Sequence, residues 1–407
     1  MSVPETNLAT PAQLLAHFRA LDQFLFAHQQ LWRPKPFTAL QLGWETEHPQ
    51  LARWLRARNL EQAEAAHNQP HLLAAPAPFP ELARQAIALG QLGQLPRRSR
   101  AATGTRLGVD VPGRKWQQIE AFGSCLQFHQ QPAHWLDWCA GKGHLGRYLA
   151  QDGSALSCVE RDAQLVSSGQ RLSGKLGIPA RHIELDVLQE EAAGYLESAQ
   201  TPVALHACGD LHVRLMQLAS AAGCRQLAIA PCCYNRIRAE HYQPLSAAAR
   251  ASALQLERDD LRLLQCETVT AGQRVRKLRD LSMARRLGFD LLQRQVRAVD
   301  EYLPAEALAP AWLQRDFAAY CTELARVKQL DLGGEHDWAT LETAGWQRLA
   351  NVRNLELLRS LFRRPLEVWL LLDRALFLQA EGYRVRLGSF CDTRLTPRNL
   401  LLLAERE

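Results

Sequence analysis

The chain has 407 residues, of which 47% are hydrophobic and 22% charged, a globular composition that excludes a disordered or fibrous protein. Its formal net charge of +6 is too small to indicate a partner. The N-terminal residues lack the charged start and apolar run of a signal peptide, and no stretch is apolar enough to span a bilayer, so we expect a cytoplasmic protein. The ten cysteines form no CxxC pair, so we expect reduced thiols and no structural metal.

The first part of the chain carries apolar side chains at helical spacing, as in Leu14, Phe18 and Leu21. Prolines interrupt this pattern, most clearly in residues 75–80. The spacing predicts a helical N-terminal domain over residues 1–95.

Residues 96–114 are polar and basic, with little hydrophobic pattern, and we interpret them as a linker. Arg97, Arg98 and Arg100 give this linker a positive charge. Guanidinium groups suit contact with phosphate or carboxylate, so these residues form a candidate RNA-binding arm.

The pattern then changes to short apolar runs separated by helical stretches, which is typical of βαβ units around a parallel sheet. The runs are residues 134–139, 155–160, 181–185, 202–207 and 226–231. We predict that residues 115–235 form an α/β core built on five parallel strands.

The remainder of the chain contains a helical stretch, followed by a C-terminal segment that we expect to complete the sheet. Residues 236–365 are helical without strand pattern, which predicts an insertion. Residues 366–407 contain an amphipathic helix and two closely joined apolar runs, which must pair antiparallel. The sequence therefore predicts a seven-stranded sheet with a helical N-terminal domain and a helical insertion.

A glycine-containing turn follows the first predicted strand. Asp137 and Cys139 precede Gly141 and Gly143, and such glycines let the backbone turn and approach a ligand. The segment has no Ser or Thr after Lys142, so it is not a magnesium-dependent phosphate loop.

Acidic residues end the next two predicted strands. Glu160 stands where a carboxylate can accept from both hydroxyls of a ribose, and Asp186 could accept from an adenine amino group. Together with Asp137, these acids predict a nucleoside-cofactor site at the carboxyl ends of the strands.

This array resembles the class I S-adenosylmethionine-dependent methyltransferases, whose Rossmann-like sheet ends in an antiparallel pair. The resemblance implies S-adenosyl-L-methionine as cofactor. It implies that Asp137 lies near the methionine ammonium, that Gly141 and Gly143 allow close approach, that Glu160 binds the ribose, and that Asp186 and Val187 flank the adenine. Cys139 occupies the place of that family's usual first glycine, so the turn must accommodate a small side chain.

Four further stretches indicate particular families within these methyltransferases. They are KWQQIEAF, LHACGDLH, APCCYN, and LDRALFLQAEGY with LTPRNLLLLAE. They resemble the methyltransferase-like 25 family and the methyltransferase domain of glutathione S-transferase C-terminal domain-containing protein. More distantly, the HxCG motif and the double cysteine are similar to the eukaryotic tRNA 2′-O-methyltransferase of the acceptor stem.

Catalytic candidates follow the fourth predicted strand, beside the place where a transferred methyl would emerge. His206 is a candidate for cofactor contact and for catalysis, or it packs against the next helix. Asp210 has the stronger catalytic case, because its carboxylate could orient or deprotonate a nucleophile.

The fifth predicted strand ends in Cys232, Cys233 and Tyr234. The cysteines allow several interpretations: buried packing, contact with substrate or cofactor, or a covalent nucleophile toward C6 of a pyrimidine. A metal site with His206 and Cys208 is a further alternative, which adjacent cysteines make geometrically awkward. We expect Tyr234 at the rim, where its ring could stack on a base.

Residues 272–297 contain eight basic and two acidic residues, a local charge as large as that of the whole chain. This segment is either a solvated helix face or a surface that follows an RNA backbone. The candidate RNA contacts are Arg274, Arg276, Lys277, Arg279, Arg285 and Arg286.

The sequence thus supports three functional hypotheses. The first is a methyltransferase acting on structured RNA, which the basic segments favour. The second is a methyltransferase with a protein or small-molecule acceptor. The third is a cofactor-binding interaction protein without catalysis.

Overall fold

The computed structural model describes residues 10–98, 107–109, 111–265 and 272–407. Its helices are α1 (Pro11–Ala27), α2 (Gln29–Trp32), α3 (Trp44–Glu47), α4 (Pro49–Arg56), α5 (Leu60–Ala66), α6 (Phe79–Gly90), α7 (Gly113–Cys125), α8 (His144–Leu149), α9 (Ala163–Leu176), α10 (Asp210–Ala221), α11 (Ala247–Arg250), α12 (Gln273–Arg297), α13 (Phe317–Lys328), α14 (Trp338–Ser360) and α15 (Arg363–Ala380). Among the described helices, none is long and apolar enough to cross a bilayer.

The chain divides into two compact units that do not follow the five predicted segments. The first comprises Met1–Phe26, Leu89–Gln265 and Leu366–Glu407, and the second comprises Ala27–Ala88 and Cys266–Pro365. Most of the predicted N-terminal domain therefore packs in one unit with most of the predicted insertion.

The first unit is built on one seven-stranded sheet. Its strands are β1 (His134–Trp138), β2 (Ala155–Glu160), β3 (Arg181–Glu184), β4 (Thr201–Cys208), β5 (Gln226–Cys232), β6 (Arg384–Ser389) and β7 (Leu400–Glu405). The order is β3-β2-β1-β4-β5-β7-β6; β1 to β5 run parallel, and β7 runs antiparallel to both β5 and β6. The predicted α/β fold, a Rossmann-like sheet with a terminal antiparallel pair, is confirmed.

Two neighbouring strands, β5 and β7, are buried along their whole length. Every residue of β5 and of β7 is buried, as expected for strands that are covered on both faces. Helix α15 adds Trp369 and Leu370, both without solvent exposure. The C-terminal segment therefore contributes to the core of the sheet.

Helix α1 packs in the first unit because its apolar face meets α15. The ring of Phe18 lies 5.0 Å from that of Trp369, and Asp22 Oδ1 accepts a hydrogen bond from Trp369 Nε1 at 2.9 Å. The helical pattern of the first 95 residues carries no information about this partner, which lies about 350 residues away.

The second unit is organised by a close crossing of α12 and α14. A Cβ atom on Gly345 would lie 2.5 Å from the carbonyl oxygen of Ala284, so the glycine is what allows this approach. Beside the crossing, the buried carboxylate of Asp290 accepts from Arg294 Nε at 3.0 Å and pairs with Arg348.

Candidate functional site

The carboxyl ends of the parallel strands border a cavity of about 490 Å³. In the strand order β3-β2-β1-β4-β5 the direction of chain winding reverses between β1 and β4, and open α/β sheets bind ligands at that place. The lining residues include six that the sequence predicts as site residues: Cys139, Glu160, Asp186, Val187, His206 and Asp210. The structure thus brings together side chains at the carboxyl ends of four strands, β1 to β4.

A second cavity of about 520 Å³ lies at the opposite edge of the sheet. Residues at the amino ends of strands line it, among them His134 and Ala155. Volume alone therefore does not identify the site. The position at the carboxyl ends and the acidic lining favour the first cavity.

Asp137 shapes the loop between β1 and α8. Its Oδ2 accepts a hydrogen bond from the backbone N–H of Gly146 at 2.8 Å, which satisfies a donor in the first turn of α8. The carboxyl group is only 2% exposed, and this burial raises its pKa to about 7, against the lowering effect of the Gly146 hydrogen bond.

The loop itself is held in left-handed conformations. Gly143 has φ +75°, and a Cβ atom there would lie 2.8 Å from the ring of His182, so this position requires glycine. Cys139 also has a positive φ of 57°. The turn therefore accommodates the small side chain of Cys139, as expected, but in a strained backbone conformation. Burial raises the pKa of the Cys139 thiol.

Glu160 is fixed by three backbone donors. Its Oε2 accepts from the N–H of Gly141 at 2.9 Å, and its Oε1 accepts from Arg161 and Asp162 at 2.9 and 3.1 Å. The carboxylate lines the cavity. The orientation of the carboxylate in the cavity wall is therefore fixed.

Asp186 and Val187 lie in the turn after β3, on the same cavity wall. Asp186 Oδ1 accepts from the N–H of Leu188 at 3.0 Å, which keeps the turn closed. Val187 is buried and offers an apolar surface suited to a planar ring. The pair combines an acceptor with an apolar contact.

His206 is oriented by a residue that the sequence analysis did not single out. Its Nε2 donates to Gln118 Oε1 at 2.9 Å, which leaves Nδ1 as an acceptor in the neutral ring. Desolvation and the charge of Lys115 lower the pKa of His206, so the ring is neutral at physiological pH. Both Gln118 and Lys115 lie in the stretch KWQQIEAF.

Asp210 begins α10 and lies in the cavity wall. Its Oδ2 accepts from the backbone N–H of Arg238 at 2.8 Å, and its own N–H donates to the carbonyl of Arg236 at 3.1 Å. A Cβ atom on Gly209 would meet that carbonyl oxygen at 1.9 Å. Because Gly209 has no side chain, the segment that carries Arg236 can pack against it and form part of the cavity wall.

Cationic lining residues were missed by sequence reasoning. Arg161, Arg236 and Arg238 all line the cavity. The alternating arginines directly after APCCYN were the available signal. They give the cavity positive as well as negative groups.

Three cysteines meet at the ends of β4 and β5. The Sγ atoms of Cys208, Cys232 and Cys233 all lie within 4.8 Å of one another, and those of Cys208 and Cys232 are 3.4 Å apart. Hydrogen bonds with Cys208 and Cys232 lower the pKa of Cys233 well below the usual range of a thiol. Hydrogen bonds with Cys208 and Cys233 raise the pKa of Cys232.

The predicted position of Tyr234 at the rim is wrong. Its side chain is only 1% exposed, and its ring lies 4.8 Å from the guanidinium carbon of Arg374. A ring that is packed under an arginine of α15 is not available to stack on a substrate. Tyr234 therefore contributes to the core instead of the site.

The basic segment on α12 is partly used inside the second unit. Arg285 is buried and lies 3.5 Å from Glu342, so its predicted contact with RNA is wrong. Arg286 donates to the carbonyl of Ala305 at 2.8 Å. The remaining candidates on this helix are Arg274, Arg276, Lys277 and Arg279.

Those remaining cations differ in their availability. Arg274 and Lys277 are exposed, whereas Arg276 lies 3.1 Å from Glu64 and Arg279 lies 3.4 Å from Asp280. In the linker, Arg97 and Arg98 are exposed, although Arg97 also donates to the carbonyl of Phe390. Arg100 lies outside the described residues.

Comparison with known families identifies the core of the first unit. Residues 114–240 match a family model described as a methyltransferase domain. The match begins at the helix that carries Gln118 and extends past β5, so it includes all cavity-lining residues. A comparison with curated proteins finds no match for the chain. The segment that forms the cavity is therefore similar to a methyltransferase domain.

Proposed function

We propose that the protein is an S-adenosyl-L-methionine-dependent methyltransferase. The observation that carries the proposal is the convergence of Glu160, Asp186 and Val187 on one cavity at the switch point of the sheet. The match of residues 114–240 to a methyltransferase domain supports the same reaction class.

The residues of the cavity fit the proposed cofactor. Glu160 would accept from the ribose hydroxyls, because its carboxylate is already oriented by backbone donors. Asp186 would accept from the adenine amino group while Val187 packs on the ring. A volume of about 490 Å³ lies within the range of ligand pockets. When bound, the cofactor supplies an electrophilic methyl on a sulfonium.

The chain's own contribution to methyl transfer is positioning and proton removal. Holding an acceptor in line with the sulfonium removes most of the entropic cost of reaction. Asp210 and neutral His206 both line the cavity and offer acceptors for a proton from the nucleophile. No strong electrophilic catalyst is needed, since the positive charge disappears as the methyl leaves.

Calorimetry with S-adenosylhomocysteine tests the proposal on the full chain. We expect one ligand per chain, and Asp186→Asn should weaken binding because the amide replaces an acceptor with a donor. Glu184→Gln is the matched control, since Glu184 is exposed at the end of β3. An absence of binding by the wild-type protein would contradict the proposal and favour an interaction protein.

We further propose structured RNA as the acceptor. Exposed cations on α12, Arg274 and Lys277, and the exposed Arg97 and Arg98 support it. Phosphate contacts of this kind make affinity fall steeply with salt. The distant similarity of the HxCG motif and the double cysteine to a tRNA 2′-O-methyltransferase is consistent with this proposal.

Gel-shift titrations with total cellular RNA at two salt concentrations test the acceptor. Replacing Arg274, Arg276 and Lys277 with alanine should weaken binding and reduce the salt slope by roughly 2 units. The charge-matched control replaces Arg315, Arg326 and Lys328, which lie in the same compact unit. Equal curves for the wild type and the α12 variant would favour a protein or small-molecule acceptor.

A further inference from the structure

The cysteine cluster of Cys208, Cys232 and Cys233 has the composition of a metal site. In the part of the chain that the structure describes, these three form the one group of metal-ligating side chains that meets at short range. A tetrahedral zinc ion with Zn–S bonds of about 2.3 Å places neighbouring sulfurs about 3.8 Å apart. The 3.4 Å pair and the 4.8 Å limit of the cluster lie on either side of that value.

The backbone of β5 departs from regular geometry to form the cluster. Consecutive residues of a strand point to opposite faces of the sheet, so Cys232 and Cys233 would normally diverge. Cys233 instead has a left-handed φ of 43°, which ends the strand and lets both sulfurs reach the same place.

The backbone of β4 departs in the same region. The register between β4 and β5 shifts between Leu205 and Cys208, so that Cys208 becomes the partner of Cys232. His206, within the shift, has φ +74°. Bulges of this kind re-aim side chains, and backbone strain collects at functional sites. Two strands are thus distorted at the point where their cysteines meet.

We propose that Cys208, Cys232 and Cys233 bind one thiophilic divalent metal ion, with zinc as the expected occupant. Three thiolates leave the fourth tetrahedral position to water or to a substrate atom, which is the arrangement of catalytic zinc sites. Cys208 lines the cavity, so this open position belongs to the same chamber as the proposed acceptor. The proposed metal site rests on the geometry of the three cysteines and does not require the proposed methyl transfer.

The surrounding charge suits such an ion. Three thiolates and one divalent cation carry a net charge of −1, and the guanidinium of Arg236 acts electrostatically on both Cys208 and Cys233. Arg398 acts in the same way on Cys233. These cations offset the negative charge of a loaded site.

Metal titration of the full chain tests the proposal without any measurement of activity. The wild-type protein, reduced and stripped with a chelator, should bind one Cd²⁺ per chain and show the ultraviolet charge-transfer band of three thiolates. Cys208→Ser, Cys232→Ser and Cys233→Ser should each lower the band to two thiolates. Each should weaken zinc binding by more than the ~100-fold that loss of an outer-shell partner costs.

Cys224→Ser is the matched control. Cys224 is buried outside the cluster, and serine can keep the hydrogen bond that its thiol donates to the carbonyl of Glu197. This variant should bind metal as the wild type does. Circular dichroism and S-adenosylhomocysteine calorimetry on the same samples show whether each variant is folded and keep this test separate from the cofactor proposal.

Three outcomes would overturn the metal site. The first is wild-type protein that binds no Cd²⁺ or Zn²⁺ in the reduced state. The second is metal binding that persists unchanged in all three cluster variants. The third is a Cys208–Cys232 disulfide in protein isolated from cells without reductant, which would assign the cluster to redox chemistry instead.

Discussion

Glu160 accepts a hydrogen bond from the backbone N–H of Gly141, with 2.9 Å between the two atoms. Glu160 ends β2, and Gly141 lies 19 positions earlier in the loop that follows the neighbouring parallel strand β1. The carboxylate proposed to hold a ribose therefore also holds the loop that follows β1. Such preorganisation lowers the entropic cost of binding.

The first prediction concerns the loss of the Glu160 carboxylate and its hydrogen bond with Gly141. Glu160→Ala should weaken S-adenosylhomocysteine binding by about 1–3 kcal/mol, or roughly 5- to 150-fold, because the ribose and the loop both lose a hydrogen-bond partner. Isothermal calorimetry measures the change. Glu184→Ala, at an exposed position on β3, should bind as the wild type does. Unchanged affinity in Glu160→Ala would remove Glu160 from the site.

The second prediction concerns the pH dependence of stability through Asp137. Its pKa in the folded state is about 7, above the ordinary value of 3.8. Below pH 4 Asp137 is protonated in both the folded and the unfolded state, so it does not make the free energy of unfolding depend on pH. Between pH 4 and 7 only the folded state keeps the proton, so rising pH lowers the free energy of unfolding, by up to about 1.4 kcal/mol per pH unit.

Asp137→Asn tests this effect, since asparagine does not ionise and its oxygen can still accept from Gly146. Urea unfolding at pH 5 and pH 8 should show a difference between variant and wild type that moves in favour of the variant as the pH rises, by roughly 3 kcal/mol at most. A constant difference across this range would show that Asp137 is ionised throughout.

The third prediction concerns the crossing of α12 and α14. Gly345→Ala should lower the free energy of unfolding by about 1–3 kcal/mol, because the added Cβ atom would lie 2.5 Å from the carbonyl oxygen of Ala284. Gly174→Ala in α9 is the control, since a Cβ atom there meets nothing within 4 Å and alanine favours a helix. Chemical denaturation should show opposite signs for the two variants.

The fourth prediction concerns the C-terminal strand. Leu402→Asp should destabilise the protein by more than about 3 kcal/mol, because it places an unpaired carboxylate in β7, where Leu402 has no solvent exposure. Thr393→Asp, in an exposed turn, is the control for this substitution and should be nearly neutral.

A truncation tests the same segment as a whole. Removal of residues 366–407 should give insoluble protein, since β5 would lose its antiparallel partner. A soluble truncated chain would show that the last segment is an independent unit.

Much of the sheet could be predicted because its information is local. The apolar runs that became β1 to β5 are short and bounded by turn residues, and their observed limits differ from the predicted ones by one residue at most. Glu160 and Asp186 could be placed together without coordinates, since carboxyl ends of parallel strands meet at one edge.

Burial of individual polar residues was not predictable in this way. Tyr234 and Arg285 lie in segments that resemble exposed functional sequence, yet Tyr234 packs under Arg374 and Arg285 pairs with Glu342. Each partner lies more than 50 residues away in the chain. A local pattern does not specify which distant side chain will cover a residue.

The sequence by itself determined the order of strands and helices, the acidic positions at the strand ends and the antiparallel pairing of the last two strands, since these depend on periodicity and short connections. Only the tertiary structure decided that Cys208, Cys232 and Cys233 meet. Adjacent cysteines on a regular strand diverge, and the spacing predicts no metal site. The left-handed backbone of Cys233 and the register shift of β4 bring the three sulfurs together, because strand pairing fixes backbone geometry that no local pattern encodes.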